Sequence, residues 1–378
     1  MKINIPLSDL DFGDEETCKV SEVIASKWLS MGPVTTKFED NFKNYIGSKN
    51  AFAVSSGTAA LHLACSSIGL KEGDEVIVPS LTFVASANCV IYTGAKPVFA
   101  DITSLENLNI STDSIAEKIT DKTKAIVAVH YGGYPCDMDQ INKIARENDL
   151  YVIEDCAHSP GAMYNGKKTG TLGDIGCFSF FSNKNMTTGE GGMVTTDNLE
   201  FSEKIKLMRS HGMTSLSWDR HRGHAKKYEV VTLGYNYRTN EMSSALGIVQ
   251  LEKLDEINRR RKKIVGMYND TLQNIQEITI PFLKYDGESS YHLYPIILSE
   301  TIPREGLINN LMDNGIQTSI HYQPIHLFDY YKSKFHTKSG MLPKTEYVGE
   351  HLITLPLHPL MSESDVEYIC DNIIKYIC

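Results

Sequence analysis

Lys184 is the residue of this 378-residue chain whose surroundings point most directly to chemistry. It lies in the stretch 178–192, which is rich in serine and glycine and carries few charges. Apolar neighbours such as Phe180, Phe181 and Met186 favour the neutral form of an amine, and a neutral lysine amine can form a Schiff base with a carbonyl group. The alternative is an ordinary solvated lysine in a glycine-rich loop. Two further segments bear on this choice.

The first of these segments has the composition of an anion-binding turn. Residues 51–54 are predicted to form a short buried strand, 55–58 a tight turn and 59–65 the helix that follows. The N–H groups at the start of a helix, together with the hydroxyls of Ser56 and Thr58, can hold a phosphate. Serine and threonine also precede helices simply as N-caps, and the sequence leaves that interpretation open.

The second segment, 151–155, is predicted to be a parallel strand that ends in two carboxylates. Ligands of open α/β sheets gather at the C-terminal ends of the strands. Asp155 there could bond the N–H of a pyridine ring and keep the ring protonated, as an electron sink requires, or it could be a helix N-cap. Alternation along the strand places Glu154 on the opposite side. His158 could lie beside such a ring or bond its phenolic oxygen, or it could be a structural histidine.

Taken in this order, the phosphate turn, the strand-end aspartate and the lysine resemble the fold-type I enzymes that use pyridoxal phosphate. The closest resemblance is to the sugar aminotransferases of the DegT/StrS family, and within it to perosamine-synthase-like members. It covers essentially the whole chain. The motifs that carry it lie at residues 32–33, 38–39, 56–61, 73–79, 82–83, 154–158, 189–192, 234–238 and 321–326.

The resemblance implies an α/β fold in two parts. A large domain, residues 1–250, would hold the cofactor on a mostly parallel central sheet, and residues 251–378 would form a smaller α+β C-terminal domain. The alternation of apolar runs and helical patterns between residues 75 and 180 also favours a parallel sheet. Residues 290–298 and 317–321 are predicted to be strands of the smaller domain.

The same resemblance implies a role for each site residue. Lys184 would carry the cofactor and move protons, Asp155 would contact the ring nitrogen, and His158 would lie near the ring oxygen. Phe83 would stack on the ring face. The residues implied to hold the phosphate, besides Ser56, are Gly57, Thr58, Ser179 and, from the neighbouring subunit, Asn236. A contribution from the neighbouring subunit implies a homodimer with shared active sites, although Asn236 could also be a turn residue.

The implied reaction moves an amino group, expected to come from glutamate, to a nucleotide-linked keto sugar. The expected acceptor is a 4-keto-6-deoxyhexose, and the product an amino sugar for a surface polysaccharide or glycoconjugate. Ser182, Thr239 and the stretch 217–224 depart from perosamine synthases, so amination at C3 stays an alternative.

Three other functions are weighed against this one. A sugar dehydratase of the same fold would have a histidine in place of Lys184. A non-catalytic regulatory relative would have lost Lys184, Asp155 or the phosphate turn. A nicotinamide-dependent oxidoreductase would have G-x-G-x-x-G after its first strand, where this chain has the residues 55–58, Ser-Ser-Gly-Thr. The residues therefore favour the aminotransferase.

Candidate substrate residues are more dispersed. The stretch 218–227 could receive a nucleotide diphosphate, or it could be a mobile surface loop. Its aromatic and basic residues are Trp218, Arg220, His221, Arg222, His224, Lys226 and Lys227, and the first four are the candidates for substrate contact. The resemblance implies that His321 and His326 lie near the substrate, and the alternative for both is a structural role. Arg238 is expected either to contact the sugar or to brace the dimer.

Composition excludes several other classes of protein. The chain has 37 basic and 47 acidic residues, and its net charge of −10 disfavours binding to nucleic acid or anionic membranes. It has no apolar run of membrane-spanning length, and residues 1–6 lack a signal-peptide core, so we expect a cytoplasmic protein. Its eight scattered cysteines are predicted to be reduced, and no ligand spacing suggests a metal site.

Overall fold

The computed structural model describes residues 3–215 and 228–377, and its largest element is a seven-stranded sheet in the order β1-β9-β8-β5-β4-β2-β3. Strand β9 is antiparallel to both of its neighbours, and the other six strands run in one direction. The strands of the described residues are β1 (Asn50–Val54), β2 (Glu75–Pro79), β3 (Lys96–Ala100), β4 (Thr123–Val129), β5 (Tyr151–Asp155), β6 (Met163–Tyr164), β7 (Lys167–Lys168), β8 (Ile175–Ser179), β9 (Gly192–Thr196), β10 (Ile278–Thr279), β11 (Tyr294–Leu298) and β12 (Leu352–Leu355). The predicted α/β fold with a mostly parallel sheet is confirmed.

Helices cover the sheet, which explains why its strands are almost continuously apolar. Val76, Ile77 and Val78 of β2, for example, are fully buried although their side chains alternate between the two faces. The helices of the described residues are Asp14–Ser26, Pro33–Ile46, Gly57–Ser67, Ala85–Tyr92, Thr112–Lys118, Met138–Glu147, Leu199–Met208, Glu241–Leu272, Arg304–Asp313, Asp329–Phe335, Pro343–His351 and Glu363–Ile377, with short 3-10 turns at Tyr131–Gly133 and Ile325–Leu327. None of them is both long and apolar enough to cross a membrane.

A second core forms around the small antiparallel sheet β10-β11-β12. The end of the long helix Glu241–Leu272 packs here through Tyr268, whose ring stacks on Tyr294. Ile5 joins the same core and forms a β-bridge with Ile316, so the N-terminal segment packs against residues near the other end of the chain. The long helix continues unbroken across residues 250 and 251, and the domain boundary there stays a prediction.

The strand predicted at 317–321 is wrong. Only Ser319 pairs there, in an isolated bridge to Thr354, with N–H to O distances of 3.1 and 2.8 Å in the two directions. Gln317 instead donates its N–H to the Ile5 carbonyl. Because the segment divides its hydrogen bonds between two partners, no continuous ladder forms.

Candidate active site

A pocket of about 360 Å³ lies at the C-terminal ends of strands β4, β5 and β8. This is the edge where parallel α/β sheets bind ligands. Most of the cofactor residues predicted from the sequence line it together: Ser56, Gly57, Thr58, Phe83, Asp155, His158, Ser179 and Lys184. The fold thus brings into one cavity side chains that lie up to 128 positions apart, from position 56 to position 184.

Lys184 is held in place by its own loop. Its N–H donates to the Phe181 carbonyl at 2.9 Å, and the next residue, Asn185, bonds Asn258 at 2.8 Å and His292 at 2.9 Å. Part of the lysine side chain faces the open pocket, but its amine lies deep inside. Burial lowers the pKa of this amine to about 8, against the opposing effect of the negative charge on Asp155. About one tenth of the amine is therefore neutral and nucleophilic at pH 7, and about half at pH 8.

This pKa predicts how the stability of the apoprotein depends on pH. The folded pKa of Lys184, about 8, is below the ordinary value of 10.5, so between these pH values the unfolded chain binds a proton that the folded chain has released. The destabilisation by Lys184 is complete below pH 8 and disappears as the pH rises to about 10.5. We expect Lys184→Met apoprotein to be more stable than wild type at pH 7, by on the order of 3 kcal/mol, with the difference shrinking by pH 10. Urea unfolding of both proteins at both pH values measures it, and a difference that does not vary with pH contradicts the lowered pKa.

Asp155 is buried at the end of β5. Its Oδ2 accepts a hydrogen bond from Ser86 at 2.7 Å, and its Oδ1 accepts one from the Ala157 N–H at 3.1 Å. Burial raises the pKa of this carboxyl, although these two bonds act in the opposite direction. Residues 156–162 form turns, so Asp155 caps no helix there. A buried carboxyl of this kind is suited to holding a proton on an aromatic nitrogen.

Glu154 faces the other side of the strand, as the alternation predicts. Its two oxygens accept backbone N–H groups from Gly170, Leu172 and Gly173 at 2.7–2.8 Å. His130 Nδ1 accepts the N–H of Cys136, so its Nε2 carries the proton and donates to Glu154 at 3.0 Å. Glu154 therefore braces the loop before β8.

Cys156 lies next to this pair, and the three side chains place possible metal-ligating atoms within 4.8 Å of one another. Both oxygens of Glu154 and both ring nitrogens of His130 are already hydrogen bonded. The cluster is accounted for as a structural brace, and we assign it no ion.

His158 is coupled to a residue that the sequence did not single out, Tyr322. The Gly132 N–H donates to His158 Nδ1 at 3.3 Å, and His158 Nε2 lies 2.9 Å from the Tyr322 hydroxyl. Burial and the positive charge of Lys184 hold the pKa of His158 well below its ordinary value. The neutral ring therefore carries its proton on Nε2 and donates it to the Tyr322 oxygen, which leaves the tyrosine's own proton free for donation into the pocket.

The phosphate turn has the geometry expected of a helix start. Ser56 caps the helix Gly57–Ser67 by accepting the Ala59 N–H at 3.1 Å. The N–H groups of Gly57 and Thr58 are the first of that helix, where no carbonyl of the helix can accept them. A Cβ atom at Gly57 would lie 2.7 Å from the Cβ of Ser179, so the turn and β8 meet too closely for a side chain. The N-cap and anion-binding interpretations of Ser56 are compatible.

We expect Gly57→Ala to weaken cofactor binding about 10- to 100-fold, because the added methyl group must displace Ser179 or the turn itself. Titration of the apoprotein with pyridoxal phosphate measures the change in Kd. Gly266→Ala is the matched control: it lies inside the helix Glu241–Leu272, and a Cβ there meets nothing within 4 Å. It should leave the Kd unchanged and stabilise the fold by roughly 0.5–1 kcal/mol. Equal Kd values for wild type and Gly57→Ala would contradict the assignment of this turn.

The two histidines near the C-terminus occupy different environments. His321 lines the pocket and shares a hydrogen bond of 3.0 Å with Thr354, and burial together with the charge of Lys184 lowers its pKa to about 4. His326 lies outside the pocket, fully buried, with its ring nitrogens 2.7 Å from the Ser80 hydroxyl and 3.1 Å from Glu346. Its position supports the structural interpretation of His326.

The remaining candidates lie apart from this pocket. Asn236 is exposed, and the carbonyl of its neighbour Tyr237 accepts the N–H of Ser55 at 2.9 Å, which ties this segment to the phosphate turn. Arg238 donates to the Ser210 hydroxyl at 3.2 Å. The substrate candidates in the stretch 218–227 lie outside the described residues: Trp218, Arg220, His221 and Arg222.

Sequence reasoning missed one residue that lines the pocket, Tyr322, and two that contact residues of the site, Ser86 and His292. Tyr322 lies inside the recognised motif 321–326, so its position next to His321 was an available signal. Ser86 follows Phe83 by three residues, one helical turn, which places both near the pocket. His292 has no local signal, because it reaches the site only through its bond to Asn185 and its ring contact with His158 at 4.5 Å.

Comparison with known proteins gives a consistent result over the whole chain. The model of the DegT/DnrJ/EryC1/StrS aminotransferase family matches residues 11–374. The spore coat polysaccharide biosynthesis protein SpsC of Bacillus subtilis is 40% identical over 374 residues, which are 98% of this chain and 96% of SpsC.

Solved structures agree with the sequence comparison. PseC of Helicobacter pylori, an aminotransferase involved in the biosynthesis of pseudoaminic acid, superposes with a TM-score of 0.92 at 30% identity and covers 99% of both chains. GDP-4-keto-6-deoxy-D-mannose-3-dehydratase of E. coli, with hydrated pyridoxal phosphate bound, superposes with a TM-score of 0.87 at 29% identity. The match to the dehydratase covers 98% of this chain and 100% of that one.

The pocket of this chain fits pyridoxal phosphate. It offers an amine with a lowered pKa to an aldehyde, a buried carboxyl to a ring nitrogen, and the start of a helix to a phosphate. The phosphate turn also passes so close to Ser179 that a side chain at position 57 would fill the space between them. Lys184, Asp155 and the phosphate turn would hold the three ends of the cofactor.

Proposed function

Because this chain belongs to the DegT/DnrJ/EryC1/StrS aminotransferase family, we propose that it moves the amino group of glutamate to a nucleotide-linked 4-keto-6-deoxyhexose. It is a sugar aminotransferase dependent on pyridoxal phosphate. The observation that carries the proposal is the buried amine of Lys184, with its lowered pKa, in the same pocket as the Asp155 carboxyl. The likeness to SpsC supports a product destined for a polysaccharide. A cytoplasmic location stays a prediction.

Each residue of the pocket has a separate task in this reaction. When bound, pyridoxal phosphate withdraws electrons from the carbon that loses or gains a proton. Asp155 would keep on the ring nitrogen the proton that this withdrawal requires, and Phe83 would cover one face of the ring. With the cofactor bound, the Lys184 amine, which is partly neutral near pH 7, would take the proton from the donor α-carbon and deliver it to the cofactor carbon on the other side of the transferred nitrogen.

The same residues weigh against the rival functions. The dehydratase alternative would have a histidine where this chain has Lys184. The non-catalytic alternative does not account for an amine, a buried carboxyl and a phosphate turn that face one cavity. Amination at C3 rather than C4 stays open, because the position of the sugar in the pocket decides it.

The two halves of the reaction can be tested separately. Glutamate added to the yellow holoenzyme should shift its visible absorption band within one turnover, and a nucleotide keto sugar added next should restore the band. A panel of 3-keto and 4-keto sugars on different nucleotides then identifies the acceptor and the aminated carbon. If glutamate leaves the spectrum unchanged and no keto sugar is aminated, the proposed donor and acceptor are wrong.

We also propose a homodimer with shared active sites. The exposed apolar residues just before the motif 234–238 support it, because Val230 and Val231 are 59% and 58% exposed and Leu233 is 78% exposed. Large apolar side chains grouped on a surface are typical of protein interfaces. Asn236 follows this group and is itself exposed, so it is placed to reach a partner, and Arg238 beside it is placed to brace the contact.

Mixing two inactive variants tests whether Asn236 acts across the dimer. We expect Asn236→Asp to place a negative charge against the partner's phosphate and to inactivate that site. In a mixed dimer of Asn236→Asp with Lys184→Met, one site then carries both defects and the other carries none. Random reassociation gives half mixed dimers with one intact site of two, so about one quarter of wild-type activity should return. If Asn236 serves its own subunit instead, no activity returns, because every site has a defect.

A further inference from the structure

A second cavity of about 500 Å³, here called the outer cavity, lies directly beside the cofactor pocket. Thr82, Phe83 and Tyr322 line both spaces and form the wall between them. The volume is within the range of roughly 300–1,000 Å³ that is usual for small-molecule sites. The two spaces are therefore adjacent, and a ligand long enough to pass these side chains would extend from one into the other.

The described lining of the outer cavity carries no charged side chain. Aromatic and aliphatic surfaces come from Phe83, Phe328, Ile308 and Ile320, and hydrogen-bonding groups from Thr318, Ser319 and Gln323. A phosphate or carboxylate would lose its hydration there without gaining a cation. This lining suits a neutral ring that combines a flat apolar face with polar edge atoms, because aromatic side chains stack on such a face and amide and hydroxyl groups bond its edge.

We propose that the outer cavity binds the nucleoside of the acceptor substrate. This inference rests on the proposed function, in which the acceptor is a sugar joined to a nucleoside by phosphates. The keto carbon of the sugar must lie in the inner pocket, beside the cofactor and the Lys184 amine. The phosphates are unsuited to an uncharged cavity. The nucleoside is the one neutral ring system of that substrate that remains.

The segment that lines the outer cavity is held at both ends before any substrate arrives. Ser319 exchanges two backbone hydrogen bonds with Thr354, and the Ile325 N–H donates to the Ser80 carbonyl at 2.9 Å. The buried His326 adds bonds from both ring nitrogens, to Ser80 and Glu346. A site formed in advance costs less ordering on binding, and this gives the motif 321–326 a role in acceptor binding as well as in the inner pocket.

Filling the outer cavity should weaken the second half-reaction alone. In Ile308→Trp the indole extends from the helix Arg304–Asp313 into the cavity, and the KM of the nucleotide keto sugar should rise at least 10-fold. The glutamate half-reaction should stay within twofold of wild type. Met312→Trp is the matched control, because it lies on the same helix, is 47% exposed and does not line the cavity, and it should change neither half-reaction.

A gentler variant covers the case in which the tryptophan disturbs the fold. Gln323→Ala removes an exposed amide at the cavity and should raise the acceptor KM about 3- to 10-fold, the effect of one hydrogen bond. Its glutamate half-reaction should be unchanged. Unchanged acceptor KM values in both Ile308→Trp and Gln323→Ala would overturn the assignment.

Free nucleosides provide a direct probe of the wild-type holoenzyme. Thymidine, uridine and guanosine are tested as inhibitors of each half-reaction, with inorganic diphosphate as the comparison. At least one nucleoside should compete with the keto sugar and leave the glutamate half-reaction unaffected, and Ile308→Trp should weaken that inhibition at least 10-fold. Inhibition by diphosphate with none by any nucleoside would refute a nucleoside site here. Failure of the proposed function is distinct, because the wild-type protein would then show no spectral response to glutamate.

Discussion

Lys184→Met is expected to lower the rate of the glutamate half-reaction at least about 10⁴-fold, because it removes both the cofactor's covalent attachment and the base that moves the proton. Methionine matches the length and the apolar stem of lysine, so the pocket should keep its shape. The variant should still bind pyridoxal phosphate through the phosphate turn and Asp155. Single-turnover absorbance after addition of glutamate measures the loss.

The control for this variant is Lys167→Met, which replaces an exposed lysine on the short strand β7 and should behave as wild type. Borohydride reduction of the holoenzyme followed by peptide mapping adds an independent measurement. The reduced cofactor should be attached to the peptide that contains residue 184. Attachment at any other lysine, or substantial turnover by Lys184→Met, would show that a different residue is the nucleophile.

Asp155→Asn is expected to slow the same half-reaction about 10²- to 10³-fold while the protein stays folded. An amide has nearly the shape of the carboxyl and can keep the Ser86 hydrogen bond, but it cannot stabilise a positive charge on the ring nitrogen. Because burial raises the pKa of the Asp155 carboxyl, removal of its charge should not destabilise the apoprotein. Rate and thermal stability are measured together.

Glu154→Gln is the adjacent comparison for this prediction. Glu154 lies one residue away on the opposite side of β5 and accepts three backbone N–H groups and His130. An amide can accept only part of these bonds, so we expect a loss of about 2–4 kcal/mol in the free energy of unfolding and a smaller effect on the rate. If Asp155→Asn lowers mainly stability and Glu154→Gln mainly the rate, the two roles are assigned the wrong way round.

The main sheet and the cofactor pocket could be predicted because their signals are local. The strand 151–155 and the turn 55–58 each show their type within a few residues, and parallel strands carry such ends to one edge of a sheet. The alternation along β5 also predicted that Glu154 and Asp155 face opposite ways. Residues that act within one element are therefore accessible from the sequence.

The rest depends on contacts between distant segments. Tyr322 meets His158 across 164 positions, and His292 meets Asn185 across 107, so neither pair has a spacing that a single sequence reveals. The prediction of a strand at 317–321 was wrong for the same reason. Its hydrogen-bond partners, Ile5 and Thr354, lie before and after it in the chain. His326 shares a motif with His321 yet faces Ser80, which only the fold determines.

The hydrogen bond from Ser55 to the Tyr237 carbonyl has a consequence for the proposed dimer. One short backbone segment would hold the phosphate turn of its own subunit and, one residue earlier, would extend Asn236 toward the phosphate site of the partner subunit. Cofactor binding at one active site would then also order the second active site, and loss of the cofactor from one site would make both more mobile. The two subunits would therefore bind and release the vitamin B6 cofactor cooperatively.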